Sequence, residues 1–248
     1  MEEESALITH FRSAVAEDLR QLALLQEKEL TREVITEMKE IKFPENLGLH
    51  LQTPEGKEAF LLLQQGFEEL PFPLEDTLID ELAADFAAIY LNNSYHASPY
   101  ESVWVSEEGL MRQAPMMQVR GWYQKYDLLA KDWQKRADDY LALQLEFIAH
   151  LMALDDKEET LKAIARFLDE HPLRWLKPFA TRVLNRCVTA FYAGLVLFTV
   201  QYLEEVRDLL AKILQEPRPS PEEVEQRMKA LERPVGVTCT PVKELVKE

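Results

Sequence analysis

Apolar residues return every three or four positions along most of this chain, the spacing that lays a stripe down one side of an α-helix. Between residues 5 and 30 the stripe runs Leu7, Phe11, Ala14 and Val15, Leu19, Leu22 and Leu25, with Glu and Arg on the opposite face. Thr31 offers a hydroxyl cap to a second, short helix, TREVITEMKEI, which Pro44 ends. Thr53-Pro54-Glu55 places a cap before a proline at the first helical position and predicts a helix to about Gln65, with Gly66 as its stop. Residues 77–91 continue the pattern, with Leu78, Leu82, Phe86 and Ile89 or Tyr90 in register.

From Asn92 to Gly109 the period fails, and Pro99 forbids a regular helix. The stretch carries Tyr95, Tyr100, Val103 and Trp104, too apolar for disorder, so it reads as an ordered loop held by its aromatics. Helix returns over 115–126, and again from Ala137 to Ala153 with Leu141, Leu145, Ile148 and Met152 on one stripe. Asp155-Asp156-Lys157-Glu158 reads as a capping-box start for a helix to about Glu170, which His171-Pro172 breaks. Residues 174–184 are helical despite Pro178, and 185–214 form the long apolar helix. A Pro-rich stretch follows, with a second capping box from Ser220 to Glu223, a short helix to about Leu231 and a tail. The expectation is an all-α protein without a sheet, a single bundle of about nine to ten helices. Residues 1–214 form the bundle, with a hinge at 131–139, and 215–248 the linker, short helix and tail.

Composition narrows the function. An apolar fraction of 47% in 248 residues can build a sizeable core. The net charge of −16 repels phosphate backbones and anionic lipid, which argues against nucleic acid and stable membrane insertion and favours basic partners. The longest apolar run, VTAFYAGLVLFTVQYL, is shorter than the ~20 residues of a spanning helix. The start, MEEESALITHF, has the wrong sign for a signal or transit peptide. Cys187 and Cys239 form no Cys-x-x-Cys, and Cys187 reads as a small core residue of the apolar helix, so a reducing cytoplasmic setting fits.

Catalytic patterns are missing. There is no glycine-rich phosphate loop, and the five histidines never form a metal-type pair on one helix face. Ser102 lacks a nucleophile-elbow context. The reading is therefore no enzyme, no cofactor and no metal. A recognition chemistry remains: loop aromatics beside Glu101, Glu107, Glu108, Asp138 and Asp139 suit a segment with basic residues followed by an apolar stretch, since a carboxylate–guanidinium pair is charge-assisted. The same aromatics, Tyr100 and Trp104, also suit pinning the loop to the bundle.

Several blocks, in order, resemble the TorD/DmsD/NarJ family of cytoplasmic molybdoenzyme chaperones. DFAAIYL looks like the family's helix end before the loop; SPYESVW resembles its Pro-aromatic-x-Ser-Val-aromatic loop. ADDYLALQLEFIAHLM is similar to its Pro-acid-Asp-His joint and following helix, FLDEHPLRWLKPFATRV to its His-Leu-x-x-Trp block, and FYAGLVLFTVQYL to its last core helix. The resemblance covers about 78–210 and implies an all-helical chaperone. Such a protein binds the N-terminal, often twin-arginine, segment of the catalytic subunit of a molybdopterin oxidoreductase and holds that subunit until its cofactor is inserted, as a monomer or homodimer. An assembly chaperone for a non-exported reductase and a helical adaptor with another peptide partner are the alternatives. The peptide-binding residues that the resemblance implies are Phe86, Ile89 and Tyr90 at the helix end, Pro99 and Tyr100 in the loop, and Asp139 and Tyr140 at the joint, with Asp139 meeting an arginine; the acids Glu101 and Asp138 beside them join the candidate peptide-binding set on charge. The chain departs from the family at Ala137 and Tyr140, where the pattern has proline and histidine; a phenol does not change charge near neutral pH.

Overall fold

The computed structural model describes residues 2–71, 73–130, 136–155 and 157–232. The chain divides into two compact units, Met1–Arg218 and Pro219–Glu248. The first holds α1 (Glu2–Glu27), α2 (Arg32–Glu40), α3 (Pro54–Glu68), α4 (Asp76–Phe86), α5 (Ser102–Val105), α6 (Ala114–Lys125), α7 (Leu141–Leu154), α8 (Glu158–Glu170), α9 (Pro172–Leu184) and α10 (Ala190–Leu214). The second holds α11 (Pro221–Glu232), whose start is a reciprocal capping box: Glu223 N donates to Ser220 Oγ at 3.2 Å and Ser220 N to Glu223 Oε2 at 2.7 Å. Among the described residues the fold is all-α, with no strand beyond an isolated bridge between Tyr100 and Tyr140. Part of the expected hinge (131–135), Asp156, and the tail with Cys239 lie outside the described residues.

The first unit is built around α10, which packs on α3, α8 and α9, while α1 lies along α7. Leu195, Phe198, Tyr202, Leu203 and Val206 of α10 are buried, as are Val15, Leu19, Leu22 and Leu25 of α1. Thr31 and Thr53 cap α2 and α3 as expected, accepting from Val34 N and Gly56 N. Gly66 is not a stop. Helix α3 runs through it, because α10 presses its backbone there: a Cβ on Gly66 would lie 2.7 Å from Ala190 C, and one on Gly194 would lie 2.6 Å from Leu63 Cα. The two glycines let the two helices approach backbone to backbone. Pro178 removes one amide from α9, yet the helix continues, with Trp175, Leu176, Phe179 and Val183 buried along it.

Two helix starts differ from the expected ones by four residues or more. Helix α10 begins at Ala190, not at 185, and Cys187 precedes it. Buried Asp85, at the end of α4, captures the turn: its carboxylate accepts from Val188 N at 3.0 Å, Thr189 N at 2.6 Å and Thr189 Oγ1 at 2.6 Å, and from Tyr95 OH at 2.7 Å. An anion at a helix N-terminus satisfies open N–H groups and complements the dipole. Helix α7 begins at Leu141, not at 137, because residues 137–140 are claimed by the loop described below. Two more buried acids act like Asp85. Asp18 accepts from Gly48 N, Leu49 N and Tyr202 OH at 2.8, 2.9 and 2.6 Å, and Glu205 accepts from Gln52 N at 2.6 Å and Thr53 Oγ1 at 3.1 Å.

After Phe86 the helix widens into a π-turn, Ala87–Leu91, closed by Asn92 N donating to Ala87 O at 2.9 Å. The extra residue turns Ala88, Ile89 and Tyr90 inward together and leaves Leu91 exposed.

The close approach of α3 and α10 is directly testable. Gly194→Ala places a methyl group against the Leu63 backbone, and overpacking of this kind costs ~1–3 kcal/mol. The urea midpoint should fall with an unchanged denaturant slope, measured by circular dichroism at 222 nm.

Candidate functional site

The aromatic loop and the joint before α7 lie side by side. Leu141 N donates to Pro99 O at 2.9 Å and Glu101 N to Asp139 O at 3.2 Å, which makes the Tyr100–Tyr140 bridge. The two tyrosine rings meet with centroids 5.2 Å apart, tilted by 46°. Residues 102–105 then turn once as α5, so the stretch read as plain loop holds a helical turn. Trp104 Nε1 donates back to Ser98 O at 2.7 Å and its ring packs edge-on to Phe179, which pins the loop to the bundle.

Beneath this clasp lies a buried polar cluster. Asp139, fully buried, accepts from Ser102 N at 2.8 Å and Ser102 Oγ at 2.5 Å through Oδ2. Burial pushes its carboxyl above the ordinary aspartate range; the Ser102 bonds oppose that shift and the nearby Glu101 adds to it. Glu101 accepts from Gln144 Nε2 at 2.7 Å and from His171 Nδ1 at 3.0 Å, with the Arg174 guanidinium 3.7 Å away. A carboxylate only accepts, so the hydrogen of this bond sits on His171 Nδ1. Asp139 Oδ1, Gln144 Oε1 and His171 Nε2 are buried without a hydrogen-bond partner in the protein. The cluster is therefore rich in acceptors and short of donors, the reverse of a guanidinium group.

The other residues expected to bind peptide occupy different surroundings. Asp138 is buried and already paired: Arg120 donates to its Oδ2 from Nε at 3.0 Å and Nη2 at 2.7 Å. The Tyr140 hydroxyl donates to Gln26 O at 2.7 Å, the Arg136 guanidinium lies 4.8 Å over its ring, and burial raises its pKa further from neutral. Phe86, Ile89 and Tyr90 are core residues; Phe86 and Tyr90 stack at 5.0 Å, and both rings meet Tyr192. Pro99 is buried, and Tyr100, half-buried, reaches the surface. Gln26 ties the two groups together: it receives Tyr140 through its carbonyl and Tyr90 OH through its side chain at 3.3 Å.

Sequence reasoning passed over Gln26, Ser102, Gln144 and His171 as parts of this cluster. A signal existed for two of them. Gln26 follows Leu22 by four residues on an apolar stripe, and Gln144 sits inside the apolar run LALQLEF. Among the described residues no group of three His, Cys, Asp or Glu is placed to hold a metal ion, and no helix is long and apolar enough to cross a membrane.

Because Asp139 holds its proton more tightly when folded than when unfolded, it favours the folded state below the unfolded pKa and loses that advantage as pH rises through the raised folded value. Asp139→Asn, which keeps an acceptor for Ser102, should flatten the fall in stability above about pH 4. Urea unfolding at pH 4 to 7 reads the difference between variant and parent.

The comparisons with known proteins agree with this architecture. A family profile described as nitrate reductase delta subunit matches residues 57–181, half of the chain. The chain is 26% identical to the chaperone protein TorD of Aliivibrio fischeri over 205 residues, covering 79% of this chain and 94% of that one. It is 28% identical to the chaperone protein TorD of Photobacterium profundum over 194 residues, covering 74% and 88%. It is also 28% identical to TorD of Vibrio cholerae over 144 residues. The chain belongs to the nitrate reductase delta subunit family, the group of TorD- and NarJ-type chaperones.

Proposed function

We propose that this protein is a chaperone of molybdenum or tungsten enzymes that works in the cytoplasm. It binds the N-terminal, twin-arginine-type segment of a catalytic subunit and holds that subunit while the cofactor is inserted, before export or assembly. The observation that carries the reading is the clasp of loop 98–106 on the joint 136–141, over a cluster with unfilled acceptors, in a chain whose relatives are named chaperones. An arginine of the client supplies the missing donors. A guanidinium presents five N–H groups in a fixed fork, and Asp139 Oδ1 and Gln144 Oε1 are acceptors of the matching kind. Tyr100 and Trp104 at the mouth give the apolar contact, and the net charge of −16 draws a basic segment in. Reaching Asp139 requires the loop to lift from the joint, which breaks the two backbone bonds of the bridge and frees the Ser102 contacts.

A second reading follows from the description of the family profile. Under it the protein assembles a reductase subunit that is not exported, and binding does not depend on a twin-arginine pair.

Titration calorimetry separates the two. A synthetic peptide with two adjacent arginines should bind more tightly than its Arg-to-Gln control by ~1.5–3 kcal/mol, the worth of hydrogen bonds to charged groups. Equal affinity for both, or none, sinks the twin-arginine reading. Co-purification of a reductase subunit from cells expressing the protein then supports the second.

A further inference from the structure

One exposed surface beside the clasp has no role in it. Leu110 is 59% exposed, Met111 41% and Met117 56%. The first two lie on the connection from α5 to α6, the third on the first turn of α6. The connection is moored to the clasp, since Gln113 N donates to Ser102 Oγ at 3.4 Å. Single exposed apolar residues are ordinary, but these fall within eight residues of one another, two of them methionines, the side chain that adapts best to varied apolar partners.

Gly121 adds an independent observation. Gly66 and Gly194 sit where the backbone of another helix leaves no room for a Cβ. At Gly121 a Cβ would meet nothing within 4 Å, and the residue is exposed. Glycine inside a helix is less favourable than alanine. Among the described residues nothing uses the space it leaves. Met117 and Gly121 are four apart and share the outward face of α6.

We propose that this face receives the part of the client's apolar stretch that lies beyond Tyr100 and Trp104, while Glu107 and Glu108 pair with the basic residue of the segment that Asp139 and Gln144 do not take. The inference rests on the chaperone reading and deepens it. Charge sets the direction. Glu107 and Glu108 are exposed at one end. At the other, Lys125 lies 5.2 Å over the Trp122 ring, where it repels the basic end of a segment entering backwards. Arg112, between them, is near enough to Tyr100 for its charge to act on that phenol. From Ala114 to Gly121 the helix rises about 12 Å, room for about four residues of extended chain. The bare backbone at Gly121 lets a main chain lie directly against the helix.

The test uses the full chain and two peptides. One carries Arg-Arg followed by a Leu/Ala run; the other has the same basic pair followed by Ser/Gly. The parent should bind the first more tightly. Gly121→Gln and Met117→Gln alter exposed positions, so both should fold, with Gly121→Gln melting at or above the parent temperature. Each variant should lose roughly tenfold in affinity for the first peptide and keep its affinity for the second. Unchanged binding of the first peptide by both variants, or equal binding of both peptides by the parent, overturns this inference and leaves the chaperone reading standing. No binding of either peptide by the parent brings down this inference and the twin-arginine reading together. Loss of self-association in Gly121→Gln, seen by sedimentation with peptide affinity intact, assigns the face to a second copy and overturns the proposal.

Discussion

Every helix start leaves N–H groups without intrahelical partners, and a buried one must find an acceptor or lose on the order of 1–3 kcal/mol. This protein meets that demand with buried carboxylates reached across the chain. Asp85 holds the turn at 188–189, Asp18 the turn at 48–49, Glu205 the start of α3, and Asp139 the start of α5. Each lies on one element, or on the joint before one, and grips backbone from another segment. The acidity of the chain is therefore partly internal architecture. These contacts decide where α10, α3 and α5 begin, and thereby where the loop from Asn92 to Gly109 must lie.

The helical bundle was legible because its stripes are local. Thr31 and Thr53 announced their helices through side chains that act on residues three positions away. What could not be read depends on distant partners. The apolar run from Val188 looks helical throughout, yet its first residues answer to Asp85, about a hundred positions earlier. Gly66 carries the usual mark of a helix stop, and only the backbone of Ala190 shows that it is a contact glycine. The π-turn leaves no trace in a period of three or four. At the candidate site the residue types stood out, but their burial did not: Asp139 and Tyr140 read as a joint offering contacts to a peptide and are enclosed once Ser102 and Gln26 reach them.

The clasp combines rigidity with an unmet demand. Its outer side is fastened by the tyrosine pair and the Trp104 indole, its inner side by Ser102 and Gln144. Buried acceptors without donors weaken the closed arrangement from within, because the low-dielectric interior magnifies every unpaired polar atom. Under the proposed function, the ligand that fits such a cluster is one that arrives with donors. Tyr140 brings a phenol to the joint, which does not change charge near neutral pH, so this position presents the same charge across that range.

The Asp85 carboxylate has a second effect on its neighbour. Burial and that nearby negative charge push the Cys187 thiol up to about 11. At neutral pH the protonated form dominates, and the thiolate, the nucleophile that attacks disulfides and oxidants, is scarce. Burial does most of this, and the same anion that starts α10 adds to it. For a chaperone of the kind proposed, a thiol kept protonated at that place is a poor entry point for the redox chemistry of a client.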